Sequence, residues 1–221
     1  MIISRTPFRV SFFGGGTDYP AWYSKNGGAV LATSIDKYCY ISCRKLPPFF
    51  PCKHRIVYSI IESVTKNKEI KHPVVREVFE WMRVSEGLEV HHDGDLPARS
   101  GLGSSSSFTV GLLNALYASL GSIVSKERLA KEATFVEQEL VGDYVGCQDQ
   151  IAASYGGFNR IEFRKSGSFV VEPIIISDEK KSSLQDHCLL IFTGISRIAS
   201  TIAQTKIQNF SKRERQLLLI Q

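Results

Sequence analysis

A short glycine-serine loop at residues 101–107 constrains the fold of this chain more than any other segment. It reads Gly-Leu-Gly-Ser-Ser-Ser-Ser and stands between a short strand pattern and a strongly amphipathic helix pattern. Two glycines let the backbone turn so that successive N–H groups face one point, and the first N–H groups of the following helix have no partner within it. The loop therefore predicts an anion site, with a phosphate as ligand.

Two other interpretations of the glycine-serine loop compete with phosphate binding. A flexible linker would be longer and would not join a strand directly to an amphipathic helix. An ordinary helix cap stays open, because serine is a common residue at the start of a helix. No lysine follows Gly103, so the loop is not a Walker-type P-loop.

A second segment with candidate catalytic residues is Gly146-Cys147-Gln148-Asp149-Gln150. Asp149 lies at the predicted start of an apolar helix, where a carboxylate either stabilises the helix end or takes a proton from an attacking hydroxyl. Glu137 lies twelve residues earlier on a predicted helix, where it is either a solvated residue or a magnesium ligand. The residues alone leave these alternatives open.

The third segment is the N-terminal strand pattern, which runs into three consecutive glycines at residues 14–16, here called the glycine turn. Glycines there bring the backbone close to another group. Arg9 is unusual for a buried strand unless it is paired or used in chemistry. Asp18 either accepts hydrogen bonds from hydroxyls or is an ordinary turn residue.

Strand and helix patterns are mixed along the chain without regular alternation, which predicts an α+β fold. The spacing of apolar residues predicts helices over 73–84, over about four turns from Ser104, from the Ser125 cap to about 140, over 148–155, and from about Ile198. Strand patterns cover residues 1–13, 29–45, 55–61, 88–92, 157–163, 168–176 and 188–192.

Composition excludes several classes of protein. The chain has 221 residues, 43% hydrophobic and 22% charged, and no apolar run long enough to cross a bilayer, so a cytoplasmic globular protein without membrane contact is expected. A net charge of +5 without a long basic block argues against nucleic-acid binding.

Five scattered cysteines argue against a disulfide framework and a zinc site, and Cys39 and Cys43 are predicted to be buried thiols. His91 and His92 would point to opposite faces of a strand and share no metal.

Taken together, the three segments resemble the motifs of the GHMP kinase superfamily. Its first motif, roughly P-x-R-x-x-x-x-G-x-x-T-D-Y, is matched by Pro7, Arg9, Gly14, Thr17, Asp18 and Tyr19. Within the superfamily the chain looks most like the heptose 7-phosphate kinase branch. Galactokinases carry Glu-His where this chain has Gly15-Gly16, which argues against galactose as the substrate.

The resemblance implies a GHMP kinase N-terminal domain with a mixed or antiparallel sheet at residues 1–170, followed at 171–221 by the start of an incomplete C-terminal α+β domain. It also implies ATP and Mg²⁺ as cofactors and a heptose 7-phosphate as the substrate. The kinase would phosphorylate the anomeric hydroxyl of this sugar, and the product would lead to nucleotide-activated heptose for surface polysaccharide. Asp149 would be the base and Arg9 would stabilise charge near the transferred phosphoryl group. The nucleotide would bind at Gly101, Leu102, Gly103, Ser104, Ser105 and Ser106, the metal at Ser105 and Glu137, and the sugar at Gly15, Gly16, Thr17, Asp18 and Arg197.

One motif of the family is expected and not found. A glycine-rich loop of the C-terminal domain should follow well after Arg197, and these 221 residues do not contain it. The sequence therefore predicts a fragment or a truncated protein with little turnover of its own. Two alternatives to the heptose kinase remain: another GHMP sugar kinase, such as a fucokinase-like enzyme, and a homologue that binds a nucleotide or sugar phosphate without catalysis.

Overall fold

The computed structural model describes residues 1–98, 100–191, 210 and 213–220. In this part of the chain helices and strands are interspersed, as an α+β fold requires. The strands are β1 (Ile2–Phe13), β2 (Gly28–Lys45), β3 (His54–Val57), β4 (Ile61–Val64), β5 (Leu88–Gly94), β6 (Phe158–Phe163) and β7 (Phe169–Pro173). The helices are α1 (Pro20–Asn26), α2 (Pro73–Trp81), α3 (Ser104–Ser119), α4 (Lys126–Phe135), α5 (Gln148–Tyr155), α6 (Asp178–Asp186) and α7 (Glu214–Leu219), with a 3-10 turn at Asn67–Glu69 and a π-helical turn at Val136–Leu140.

The long strand β2 organises the sheet. One of its edges pairs with β1, in a register that joins Ile2 to Cys43 and Val10 to Thr33. The other edge pairs with β6 along residues 28–33 and with β5 along residues 39–45. The order of the remaining path is β4-β3-β5-β2-β6-β7, and every pair is antiparallel except β3 with β5. The expected mixed sheet with helices is confirmed.

Helix α3 packs directly on β1 and β2 and forms the centre of the core. Leu112 and Leu113 are fully buried in α3, and Ile41 is fully buried in β2. The helix lies very close to β1 at Gly111, where a Cβ would come within 2.9 Å of the Thr6 hydroxyl oxygen, and the Ser4 hydroxyl donates to the Gly111 carbonyl at 2.8 Å. This close packing holds the middle of α3 against the first half of β1.

Some element predictions were wrong in extent. The predicted strand at 55–61 is a hairpin, in which β3 and β4 are joined by a tight turn. Cys188–Ile191, predicted as a strand with Phe192, has no regular structure, and Phe192 lies outside the described residues. Most of the helix predicted from Ile198 also lies outside them, although its end corresponds to α7. Helix α6 was not predicted.

The sheet includes β7 through Pro173, three residues beyond the domain boundary predicted at 170. We therefore propose that the division between the two units falls after Pro173. None of the helices in the described ranges is both long and apolar enough to cross a membrane.

The cysteine and histidine predictions agree with the structure. Cys39 and Cys43 are free and buried, and burial raises their thiol pKa values to about 12 and about 11. His91 contacts Glu89 at 3.1 Å, whereas the ring of His92 packs edge-on against Phe108. The two imidazoles therefore have separate environments.

Candidate active site

The glycine-serine loop turns directly into α3. Gly101 and Gly103 have φ values of +78° and +77°, which favour glycine, and Gly103 is the N-cap residue of α3 without a side-chain cap. The Arg9 backbone N–H donates to the Leu102 carbonyl at 3.1 Å, which ties the loop to β1. A Cβ at Gly101 would meet no atom within 4 Å, so the loop has open space beside it. The first turn of α3 therefore lacks an ordinary side-chain cap, and its amides can attract an anion.

Arg9 connects the glycine-serine loop to Asp149. Its Nη1 atom donates to the Gly101 carbonyl at 2.8 Å, and its Nε and Nη2 atoms donate to Asp149 Oδ1 and Oδ2 at 2.8 and 2.7 Å. The Arg9 side chain is 12% exposed and that of Asp149 is 25% exposed. This bidentate, half-buried pair explains an arginine within a strand and holds the Asp149 carboxylate next to the loop.

Asp18 joins the glycine turn to the segment before α5. Its Oδ1 accepts from the Gly16 N–H at 2.9 Å and its Oδ2 lies 3.4 Å from the Gln148 N–H, while the Cys147 N–H donates to the Asp18 carbonyl at 3.0 Å. A Cβ at Gly146 would collide with the Asp18 carboxylate, which is why a glycine stands there. Asp18 is 1% exposed, and this burial, followed by the nearby Asp149 charge, raises its pKa.

The predicted sugar residues are therefore not equivalent in the structure. Thr17 is fully buried, and its hydroxyl bridges the Gly14 carbonyl at 2.8 Å and the Ala29 N–H at 3.1 Å. Gly15 is exposed, whereas Gly16 is buried. The Asp18 carboxylate has backbone partners, so its direct contact with sugar hydroxyls stays a prediction. Arg197 lies outside the described residues.

Glu137 lies in the π-helical turn after α4 and is 1% exposed. Its carboxylate accepts from the Ser106 hydroxyl at 2.9 Å, the Thr109 hydroxyl at 2.7 Å and the Gln150 amide at 2.5 Å. Burial raises the pKa of Glu137 to about 7, against the effect of these three donors. Ser105, predicted to share a metal with Glu137, is exposed, and the structure joins Glu137 to Ser106 instead.

Sequence reasoning missed Thr109 and Gln150 beside Glu137 and the side chain of Gln148, and it assigned Ser106 to the nucleotide alone. Ser106 and Thr109 are three residues apart and share one face of α3, which was the available signal for a polar site in an otherwise apolar helix. Gln148 and Gln150 flank Asp149 in sequence, but nothing in the sequence distinguishes their directions.

A cover formed by Phe210 and α7 lies over the glycine turn. The ring of Phe210 lies 5.9 Å from those of both Tyr19 and Trp22, measured between ring centroids. Leu217 in α7 is 8% exposed, and its Cδ2 atom would lie 3.3 Å from a Cβ at Gly16. The cover shields Gly16 and Trp22 from solvent.

The glycine-serine loop without a side-chain cap and the carboxylate that Arg9 holds beside it form the candidate site. Residues 64–157 match the family described as GHMP kinases N terminal domain. The matched segment carries a GHMP kinase N-terminal domain, and the chain has the GHMP kinase fold.

Known relatives and structures agree with this assignment. The chain is 32% identical over 214 residues to D-glycero-alpha-D-manno-heptose 7-phosphate kinase of Campylobacter jejuni, a match covering 93% of this chain and 63% of that relative. It is 25% identical to the bifunctional fucokinase/GDP-fucose pyrophosphorylase of Arabidopsis thaliana, covering 96% of this chain and 22% of that protein. The fold is also that of a D-glycero-D-manno-heptose 1-phosphate kinase from Bacteriodes thetaiotaomicron, with a TM-score of 0.79 at 23% identity, covering 99% of this chain and 73% of that one. The chain thus spans less than two thirds of the length of either curated relative.

Proposed function

We propose that this chain forms the nucleotide and sugar site of a kinase that transfers the γ-phosphoryl group of MgATP to the anomeric hydroxyl of D-glycero-D-manno-heptose 7-phosphate. The product would be the 1,7-bisphosphate and ADP. The observation that carries the proposal is the Arg9 bridge, in which one guanidinium contacts both the Gly101 carbonyl and the Asp149 carboxylate. The loop proposed to bind phosphate and the proposed proton acceptor thus share one guanidinium, an arrangement that suits phosphoryl transfer.

Each part of the bridge has a role in this reaction. The amides of residues 101–106 and the N-terminal end of α3 hold the phosphates. Asp149 accepts the proton of the sugar hydroxyl. At the same time the sugar oxygen bonds to the γ-phosphorus, and the bond between the γ-phosphorus and ADP breaks. Arg9 orients Asp149 and places positive charge beside the phosphoryl group in transfer. Because both carboxylate oxygens of Asp149 are held by Arg9, the carboxylate is positioned before substrate binds.

The residues around Glu137 fit a magnesium ion. Among the described residues there is no group of three or more histidine, cysteine and acidic side chains that could form a protein-only metal cage. Mg²⁺ commonly uses one or two carboxylates together with substrate phosphates and water, so Glu137 with a hydroxyl of Ser105 or Ser106 suffices. Glu137 has only neutral hydrogen-bond partners in its buried site, and a cation would favour its charged form. The ion would neutralise charge on the phosphates.

The choice of sugar rests on the relative from Campylobacter jejuni and on the glycine turn. Gly15 is exposed and leaves space in place of a side chain, which suits a sugar larger than a hexose. A fucokinase-like activity is the second candidate, because the match to the plant fucokinase covers 96% of this chain. Binding of both ligands without turnover is the third, because the chain spans only 63% of the heptose kinase relative.

The proposal is tested by single-turnover ADP formation with the chain in excess over MgATP, with and without heptose 7-phosphate. Asp149→Asn keeps the shape of the side chain but cannot take the proton, so we expect the sugar-dependent rate to fall by about 10²–10⁴ while both ligand affinities stay within a few-fold. Asp178→Asn is the matched control, because Asp178 is also an acidic residue in the first turn of a helix and is exposed.

Three results would contradict the proposal in different ways. Equal rates for the native chain and Asp149→Asn would remove the base from the mechanism. Faster ADP formation with fucose or galactose would assign another sugar. Calorimetric binding of both ligands without any ADP would leave the non-catalytic binder.

A further inference from the structure

We infer that the side-chain amide of Gln148 is a further sugar-binding group, which contacts a hydroxyl next to the one that Asp149 deprotonates. This inference rests on the proposed function. The Oε1 atom of Gln148 is buried and has no hydrogen-bond partner in the described part of the chain. The Nε2 atom of Gln148 lies 3.6 Å from the position that a Cβ would take at Gly15.

The backbone of Gln148 is fixed where such a contact is useful. Its N–H lies 3.4 Å from Asp18 Oδ2, and the next residue is Asp149, held by Arg9 at 2.7 and 2.8 Å. The backbone of Gln148 is therefore held between the proposed base and Asp18, which binds the glycine turn. A ligand that reaches Asp149 past the exposed Gly15 passes this amide.

An amide is the right group for a sugar because it donates from one end and accepts at the other, as a pair of neighbouring hydroxyls does. A buried carbonyl oxygen without a donor destabilises the folded protein, so its presence beside a proposed reaction centre indicates a partner that arrives from outside. The Ser11 hydroxyl oxygen lies 3.8 Å from the same Cβ position. Gln148 and Ser11 thus both border the space beside Gly15.

A purely structural role for Gln148 makes a different prediction. If the side chain only filled space, a residue of the same length would replace it without effect on any ligand. Gln148→Met keeps the length and flexibility of the side chain and removes the amide. Gln185→Met, in the exposed helix α6, is the matched control for the chemical change itself.

The test is calorimetric titration of the 221-residue chain and both variants with heptose 7-phosphate and, separately, with MgATP. For Gln148→Met we expect sugar phosphate affinity to fall roughly tenfold or more, which is the loss of one hydrogen bond in a desolvated site. MgATP affinity should stay within twofold, and the melting temperature should be unchanged or higher because an unpaired buried oxygen is removed. Gln185→Met should match the native chain in all three.

Other outcomes overturn the inference and are distinguishable. Unchanged sugar affinity in Gln148→Met, with a native chain that binds the sugar, removes Gln148 from the site and leaves the proposed function intact. Equal loss of both affinities with a lower melting temperature assigns Gln148 a structural role. A native chain that binds no heptose 7-phosphate overturns the proposed substrate and this inference together.

Discussion

At the scale of single residues, the three glycines of the glycine turn meet different requirements. Gly14 has a φ of +85°, and a Cβ there would collide with the Ala29 carbonyl, so this glycine is needed for the fold. Gly15 has no positive φ, and a Cβ there would meet only the Gln148 amide and the Ser11 hydroxyl at ordinary contact distances. The fold therefore does not require a glycine at position 15, and the space beside Gly15 is available to a ligand.

Gly15→Ala should leave stability within about 0.5 kcal/mol of the native chain, because the methyl group fits without strain. If the sugar occupies the space between Gln148 and Ser11, the same methyl group should weaken heptose 7-phosphate binding more than tenfold. Calorimetry and thermal melting on one preparation measure both effects. Gly14→Ala is the contrasting variant, which should unfold at a markedly lower temperature. Full sugar affinity in a well-folded Gly15→Ala protein would place the sugar elsewhere.

Glu137 should make the stability of the chain depend on pH in a definite direction. Its pKa is raised from 4.5 in the unfolded chain to about 7 in the folded protein, so the folded protein binds the extra proton between these values. Its contribution is therefore most favourable below about pH 4.5 and is lost as the pH rises through 7. The free energy of unfolding should lose on the order of 3 kcal/mol from this group across that range.

Glu137→Gln removes this titration while keeping the shape of the side chain. The stability difference between variant and native protein, measured by urea unfolding, should favour the variant more at pH 8 than at pH 5. The exposed Glu179→Gln should show no such change. Mg²⁺ with ATP should stabilise the native chain at pH 8 more than the Glu137 variant, because the carboxylate ligand is gone while the loop amides remain. A stability difference that is the same at both pH values would mean that Glu137 is charged throughout.

At the scale of elements, the glycine-serine loop and α3 act as one unit. Gly101 at the start of the helix and Gly121 after its end share a positive φ, +78° and +72°, and neither would place a Cβ within 4 Å of another atom. A side chain at either position would therefore introduce the same backbone strain, at opposite ends of α3. Only the first faces the proposed phosphates.

Gly101→Ala and Gly121→Ala should each destabilise the chain by about 1 kcal/mol, since alanine at positive φ is strained. Only Gly101→Ala should weaken MgATP binding, by roughly tenfold, because the loop amides would shift from their common point. Titration with MgATP and urea unfolding of both variants give the comparison. Equal nucleotide affinity in the two variants would show that the loop does not hold the phosphates.

The sequence predicted elements well where local signals were strong. Helix α3 follows from its apolar spacing and its glycine start, and Ser125 caps α4 as expected, accepting from the Arg128 N–H at 3.2 Å. The turn between β3 and β4 was missed because its residues, Tyr58, Ser59 and Ile60, include no glycine or proline. Helix α6 was missed because it buries no residue and so has no apolar stripe.

The site was predictable only in part, for a physical reason. Arg9 and Asp149 are 140 residues apart, and the resemblance to a family, not any spacing, named them together. The exchange of Ser105 for Ser106 beside Glu137 depends on the rotation of α3 about its axis, which packing against β1 and β2 decides. The unpaired amide of Gln148 likewise exists only in three dimensions.

At the scale of the whole molecule, β2 links all parts of the site. Along one edge it carries β1, which contributes Arg9 and runs into the glycine turn, and along the other it carries β5 and β6. Helix α5, with Asp149, packs against α3 and β1 and is continuous with β6 through a short turn. The glycine-serine loop, the glycine turn and Asp149 therefore meet over the same strand pair, although they are distant in sequence.

The cover over the glycine turn should make the fluorescence of Trp22 sensitive to sugar binding. Trp22 is buried, its indole N–H has no hydrogen-bond partner among the described residues, and its ring packs edge-on against Phe210. A sugar that reaches Gly16 must displace Leu217, which should move Phe210 and let water approach the indole. In a Trp81→Phe variant, which leaves Trp22 as the sole tryptophan, heptose 7-phosphate should shift the emission to longer wavelength, whereas MgATP alone should not. An unchanged spectrum at sugar saturation would mean that the sugar binds with the cover in place.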